Sequence, residues 1–178
     1  MQKTKKTIRL ITNMAMMTAL SIVIGIFCKS VLNFGGGLFR ITFENLPIIL
    51  TGIVLGPIAG GVVGLASDLV SYMLSGQSYP LNLVVTLGAT TIGVLSGLIA
   101  KHVIKRKCKA QIIVSASVAH LIGSVIIKSI GLYSYYGVLV LWRIPLYFVI
   151  ATVEITLLCL LLQSKAFSKT VGYIEELK

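Results

Sequence analysis

Seven charged side chains stand inside or at the ends of apolar stretches: Lys29, Arg40, Lys128 and Arg143, with Glu44, Asp68 and Glu154. Charge at such positions is costly and normally faces a partner, a cavity or a ligand. The guanidinium groups suit bidentate pairing with carboxylates. The acids suit acceptance from N–H donors. Arg143 and Glu154 lie eleven residues apart, which returns them to nearly one helix face about 16 Å apart along the axis. That is too far for a direct pair but fits the two ends of an elongated ligand; a neighbouring helix is the other partner open to Glu154. Asp68 precedes Tyr72 by one helical turn, on the same face. Either a pocket or a structural bond satisfies Asp68, and the same alternatives hold for Glu44 and Asn45. His120 reads as a polar helix contact. No HExxH, GxSxG or GxxxxGK[ST] pattern occurs, so no catalytic constellation and no P-loop are expected. Cys28, Cys108 and Cys159 share no CxxC spacing, and neither a metal, a cofactor nor a disulfide framework is expected.

The elements that must position these groups are membrane helices. The 178 residues are 56% hydrophobic and 12% charged, too little polar surface for a soluble domain. Six apolar segments, roughly 8–30, 41–56, 58–76, 81–100, 110–131 and 139–163, each approach the ~20 residues of a membrane span. The expected fold is an all-α membrane protein, a compact bundle of six transmembrane helices forming one domain over 1–178. The start, MQKTKKTIR, looks like that of a signal peptide, but the apolar stretch behind it is long and lacks a small-residue cleavage site, so it reads as a retained helix.

The formal charge of +11 does not imply nucleic acid, because its distribution follows topology. Lys3, Lys5, Lys6 and Arg9 precede the first span; Lys101, Lys105, Arg106, Lys107 and Lys109 join the fourth to the fifth; Lys165, Lys169 and Lys178 follow the sixth. With six spans these twelve cations share one side, and the positive-inside rule makes it, with both termini, the cytoplasmic one. Contact with anionic lipid accounts for them. Lys29, Arg40, Lys128 and Arg143 are left at the outer ends, where they would form an electropositive mouth suited to an anionic solute.

Three outer connections would shape that mouth. KSVLNFGGGLFR carries Gly35, Gly36 and Gly37, which free the backbone to close over a ligand, beside Phe39 and Arg40. SGQSYPLN supplies Tyr79 and Asn82, with Pro80 at the start of the fourth helix. KSIGLYSYYGVLVLWR places Tyr133 and Trp142 between Lys128 and Arg143. On the inner side Gly56-Pro57 reads as a tight turn, and Gly56, Gly60 and Gly64 recur on one face suited to close helix packing. Ala15 and Ala19 form a small-xxx-small pair on the first helix.

With these segments in view, the chain resembles the substrate-binding S components of energy-coupling factor (ECF) vitamin transporters. The resemblance rests on RITFENLPIILTGIVLGPIAGGVVGLASD, on the basic fourth connection, and on Ala15-Met-Met-Thr-Ala19, which is similar to the AxxxA pattern of the family. KSIGLYSYYG…WRIPLYFVIATVEI looks most like folate-specific members, although Ser78-Tyr79-Pro80-Leu81 replaces their Tyr-Phe-Pro-Gly-like stretch. The resemblance implies partners: a transmembrane coupling subunit that docks on Ala15 and Ala19, two ATPase subunits, and a vitamin captured from outside the cytoplasmic membrane. On the folate expectation the glutamate tail meets Arg40, Lys128 and Arg143, the rings stack among Phe39, Tyr72, Tyr133 and Trp142, and Asp68 or Glu154 accepts from the pterin. Riboflavin, thiamine and pantothenate are the rival ligands; thiamine is cationic, riboflavin is neutral, and pantothenate has no ring to stack. A non-transport scaffold is the remaining alternative.

Overall fold

The computed structural model describes residues 2–34, 39–74, 82–104 and 108–164, with the backbone alone at 2, 3, 33, 34, 39 and 40. The chain is helical almost throughout. Helix α1 spans Gln2–Val31, α2 Asn45–Leu55, α3 Pro57–Leu74 and α4 Leu83–Leu98, which runs on as a π-helix through Val103. Helix α5 covers Lys109–Ala119 and passes through a π-helical His120–Ile127 into α6, Lys128–Tyr136. A 3₁₀ segment, Gly137–Trp142, then leads into α7, Arg143–Gln163.

Four stretches among the described residues are long and apolar enough to cross a membrane: Thr4–Val31, Pro57–Leu74, Leu83–Val103 and Lys109–Gln163. The last is 55 residues long, sufficient for two passes, and its backbone turns at Gly137, whose φ is +56°. The connection expected after residue 131 is therefore mostly helix, and Tyr133 lies within α6. The second expected span, 41–56, is shorter than anticipated. Helix α2 has 11 residues, about 16 Å of rise, half the ~30 Å hydrocarbon thickness. The residues before it are drawn into a short antiparallel pair instead, Asn33 opposite Arg40 and Phe34 opposite Phe39, extended by Ile41 N–H donating to Leu32 O at 3.2 Å.

Shortness makes α2 the centre of the bundle. Every residue from Asn45 through Gly52 is buried, and α1, α3, α4, α5 and α7 pack around it. Ile48, Ile49 and Leu50 join Val63, Ile92, Ile112, Ala116, Leu158 and Leu162 in one apolar core. Helices α3 and α4 approach backbone to backbone: a Cβ on Gly60 or Gly93 would sit closer than 3.0 Å to the other's carbonyl, and one on Gly64 would collide with Ala89 O. Gly56 does not share that face. It closes α2 with φ +101° and open space around it, a conformation that L side chains rarely adopt. The outer surface is apolar: Ile8, Ile11, Met16, Val23 and Phe27 of α1 are each more than half exposed, as a lipid-facing helix requires.

Candidate binding site

One face of α1 begins the site. Ser21, Gly25 and Lys29 recur every four residues, so they line up along the helix. The Ser21 hydroxyl donates to Glu44 O at 2.7 Å. The absence of a side chain at Gly25 leaves room for the Glu44 carboxylate, whose Oε2 would lie 2.9 Å from a Cβ there. Lys29 Nζ stands 4.0 Å from Glu44 Oε2. From the other side of the bundle Lys128 Nζ stands 3.8 Å from Glu44 Oε1 and donates to Asn45 Oδ1 at 3.0 Å. Lys128 is buried at 7% exposure, and its stem crosses Gly88 of α4, where a Cβ would meet Lys128 Cγ at 2.7 Å. A buried ammonium requires such partners. Glu44 and Asn45 supply them from the start of the short central helix.

Directly beneath lies a narrow crevice of about 170 Å³, lined by Ser21, Glu44, Ile48, Ser67, Asp68, Ser71 and Ala89. It joins α1, α2, α3 and α4. As it stands the crevice is too tight to hold a ligand. Asp68 Oδ2 accepts from the Thr86 hydroxyl at 2.7 Å, which fixes the carboxylate against α4. Glu44 and Asp68, far apart in sequence, thus face one space rich in hydrogen-bond acceptors.

Other expected site residues are placed elsewhere. Arg143 opens α7 and is buried at 6% exposure; its guanidinium carbon lies 5.7 Å from the Tyr147 ring centroid, and its Nε has no hydrogen-bond partner among the described residues. Glu154 faces inward on the same helix at 0% exposure, but His120 meets it, with Nε2 2.7 Å from Oε2. The approach lies off the line of a hydrogen bond, and His120 Nδ1 sits 3.3 Å from Ser124 Oγ. Of the two readings open for Glu154, the structure brings it to a neighbouring helix. Asn82 turns out to cap α4: its Oδ1 accepts from Val84 N at 3.0 Å and its Nδ2 donates to Gly131 O at 2.5 Å. Tyr72 is half-buried on α3. Tyr133 and Trp142 are 59% and 68% exposed, so they do not join the cluster; the helical continuation through α6 and the 3₁₀ segment turns both rings outward. Gly35, Gly36, Gly37 and Tyr79 lie outside the described residues, as do the side chains of Phe39 and Arg40. Ala15 and Ala19 are exposed on α1. Among the described residues no cluster of metal ligands occurs, and the three cysteines are free.

Sequence reasoning missed Ser21, Gly25 and Thr86, and read His120 as a polar helix contact without naming Glu154 as its partner. The four-residue spacing of Ser21, Gly25 and Lys29 was the available signal for the first two.

A short buried helix presenting polar groups to a cluster of cations, inside an apolar helical bundle, defines a multi-pass membrane protein built to hold a solute. The model of the family described as ECF-type riboflavin transporter, S component, matches residues 5–169, and the chain belongs to that family. Its fold is similar to that in a crystal structure of FolT bound with folic acid, with a TM-score of 0.62 at 18% identity, covering 94% of this chain and 93% of that one. A comparison with curated protein sequences finds no match. The family so described is one of transporter S components.

Proposed function

We propose that the chain, over all of 1–178, is the substrate-capturing S component of an ATP-driven importer in the cell membrane, with six spans and both termini cytoplasmic. Its ligand is folate, taken from the outer side. The observation that carries this reading is Arg143: a guanidinium at 6% exposure, with an unpartnered Nε and no ion pair among the described residues. A buried cation without a counter-ion is costly, and a ligand carboxylate relieves that cost through a charge-assisted pair. Lys29 and Lys128 add positive charge at the head of the crevice, and Asp68 offers an acceptor for the amino and ring N–H donors of a pterin. The crevice widens to admit the rings. Fold likeness to folate-bound FolT supports the same reading.

Riboflavin is the second reading, favoured by the description of the matching family model. A neutral ligand would leave Arg143 without a counter-ion. In both readings energy comes from a coupling protein and two ATPase subunits, in keeping with the lack of a GxxxxGK[ST] pattern in the sequence. No cofactor takes part.

Titration calorimetry on the purified chain, with folate, pteroate and riboflavin, tests the assignment. Folate is expected to bind one to one. Arg143→Ala should weaken folate by roughly a hundredfold, the loss of a buried charge-assisted pair, and weaken pteroate, which lacks the glutamate, far less. Equal losses for both would remove Arg143 from the tail, and riboflavin binding alone would replace the ligand.

A further inference from the structure

We infer that the buried His120–Glu154 pair is a positioning device for Lys128, holding the helix between His120 and Lys128 in the wide π form that turns the lysine into the candidate site. The inference rests on the proposed reading, in which Lys128 meets the carboxylates of the ligand. It adds the residues that aim this cation from a distance.

Lys128 stands eight residues after His120. At 3.6 residues per turn that separation comes to about 800°, or ~80° beyond two full turns. An α-helix would therefore swing the lysine off the face that His120 occupies. The structure shows no such drift. His120, Ser124 and Lys128 are all buried, at 3%, 2% and 7% exposure, whereas Leu121 and Ile126 face outward at 47% and 49%. The cause is the π-helical stretch over His120–Ile127, which Lys128 N–H closes by donating to Gly123 O, five residues back rather than four. The wider turn keeps these four-residue steps on one face. π-turns are rare and occur mostly at functional sites, so local contacts must favour this one.

Two sets of contacts do so. Where the stretch begins, His120 is held on both ring nitrogens, with Nε2 2.7 Å from Glu154 Oε2 on α7 and Nδ1 3.3 Å from Ser124 Oγ. Farther along, Gly123 lies against α4, where a Cβ would collide with Ile92 and stand 3.0 Å from Gly88 O. The stem of Lys128 crosses the same Gly88. The lysine thus leaves the π-turn already laid over α4, and its ammonium donates to Asn45 Oδ1 at 3.0 Å. Neither His120 nor Glu154 lines the crevice, so their influence on a ligand runs through the helix.

His120→Leu combined with Glu154→Leu removes the pair without stranding a buried charge. Two measurements on the full-length chain in detergent test the inference. The first needs no ligand: acetylation of Lys128 by an amine-reactive reagent, read by mass spectrometry, should be slow in the unaltered chain and several-fold faster in the double variant. The second is titration calorimetry. Folate should weaken roughly tenfold, the scale of one hydrogen bond to a charged group, and pteroate far less. Deleting the outward-facing Ile126 from the double variant places Lys128 seven positions after His120, about 700° of α-helix and only ~20° short of two turns; both readouts should return toward those of the unaltered chain. Thermal unfolding verifies that each variant is folded. If the double variant is not, Ser124→Ala, a smaller change beside His120, should shift both readouts in the same direction. Unchanged labelling of Lys128 in a folded variant overturns the inference whatever folate does. Equal losses for folate and pteroate would make the pair a direct contact of the rings and overturn it as well, as would a folded deletion variant that stays labelled. Faster labelling in the double variant of a chain that binds no folate upholds the positioning and rejects the folate reading alone.

Discussion

At the scale of single residues, the structure separates charges that serve the fold from charges open to a ligand. Glu154 and His120 meet in the core, Nε2 to Oε2 at 2.7 Å, off the line of a hydrogen bond; among the described residues Arg143 has the Tyr147 ring beside it and no ion pair. The two cases respond differently to substitution. Removing one member of a buried pair leaves the other uncompensated, so Glu154→Leu should cost about 3 kcal/mol. The double variant His120→Leu with Glu154→Leu should recover most of that loss, since apolar replacement of both partners is often near neutral. Thermal unfolding of the two variants in detergent measures the difference, and simple additivity would show that the pair is not a unit. Glu154 could be assigned to an inward face from its spacing to Arg143. Its partner could not, because His120 lies 34 positions earlier on another helix and nothing local marks the encounter.

Elements bring in constraints that side-chain types do not carry. The closest approach in the bundle is between α3 and α4, where Gly60, Gly64 and Gly93 let the backbones meet. Gly93→Ala should therefore destabilise by about 1–3 kcal/mol through overpacking. Gly88→Ala, in the same helix, acts by another route: it pushes the Lys128 stem aside and should impair ligand binding more than unfolding temperature. Comparable effects of both on stability, with binding untouched, would contradict this division. The apolar runs were legible from composition, and the Gly56-Pro57 turn from its dipeptide. The true length of α2 was not, because residues 41–43 are as apolar or neutral as those that follow, and only tertiary pairing decides that they leave the helix. The outward turn of Tyr133 and Trp142 was illegible for a related reason. Periodicity assumes 3.6 residues per turn, whereas this stretch passes from π-helix through α-helix to 3₁₀, and the facing of each ring drifts accordingly. Asn82 looks the same in sequence whether it contacts a ligand or caps a helix; its position before Leu83 favours the cap.

For the whole molecule, the contrast between the two sides of α1 matters most. One face, through Ser21, Gly25 and Lys29, builds the site; another carries Ala15 and Ala19 exposed amid lipid-facing residues. Small exposed residues let a second helix approach closely. On the proposed reading, replacing both with Leu should abolish copurification with a coupling protein and ATPase subunits while leaving ligand affinity within about twofold, because the two sets lie on different faces of α1 and side chains without shared partners act nearly independently. Retained copurification would move the docking surface elsewhere. The short central helix has a last consequence, for ionic strength. Glu44, directly before α2, lines the crevice together with Ser67 and Asp68 of α3, and its cluster is largely buried, with the Lys29, Glu44 and Lys128 side chains 12%, 15% and 8% exposed. Mobile ions screen surface charges over a Debye length of ~8 Å in physiological salt but reach a recessed, partly buried site poorly. Capture of an anion should accordingly slow as salt is raised, while the affinity, once the ligand is seated, changes little.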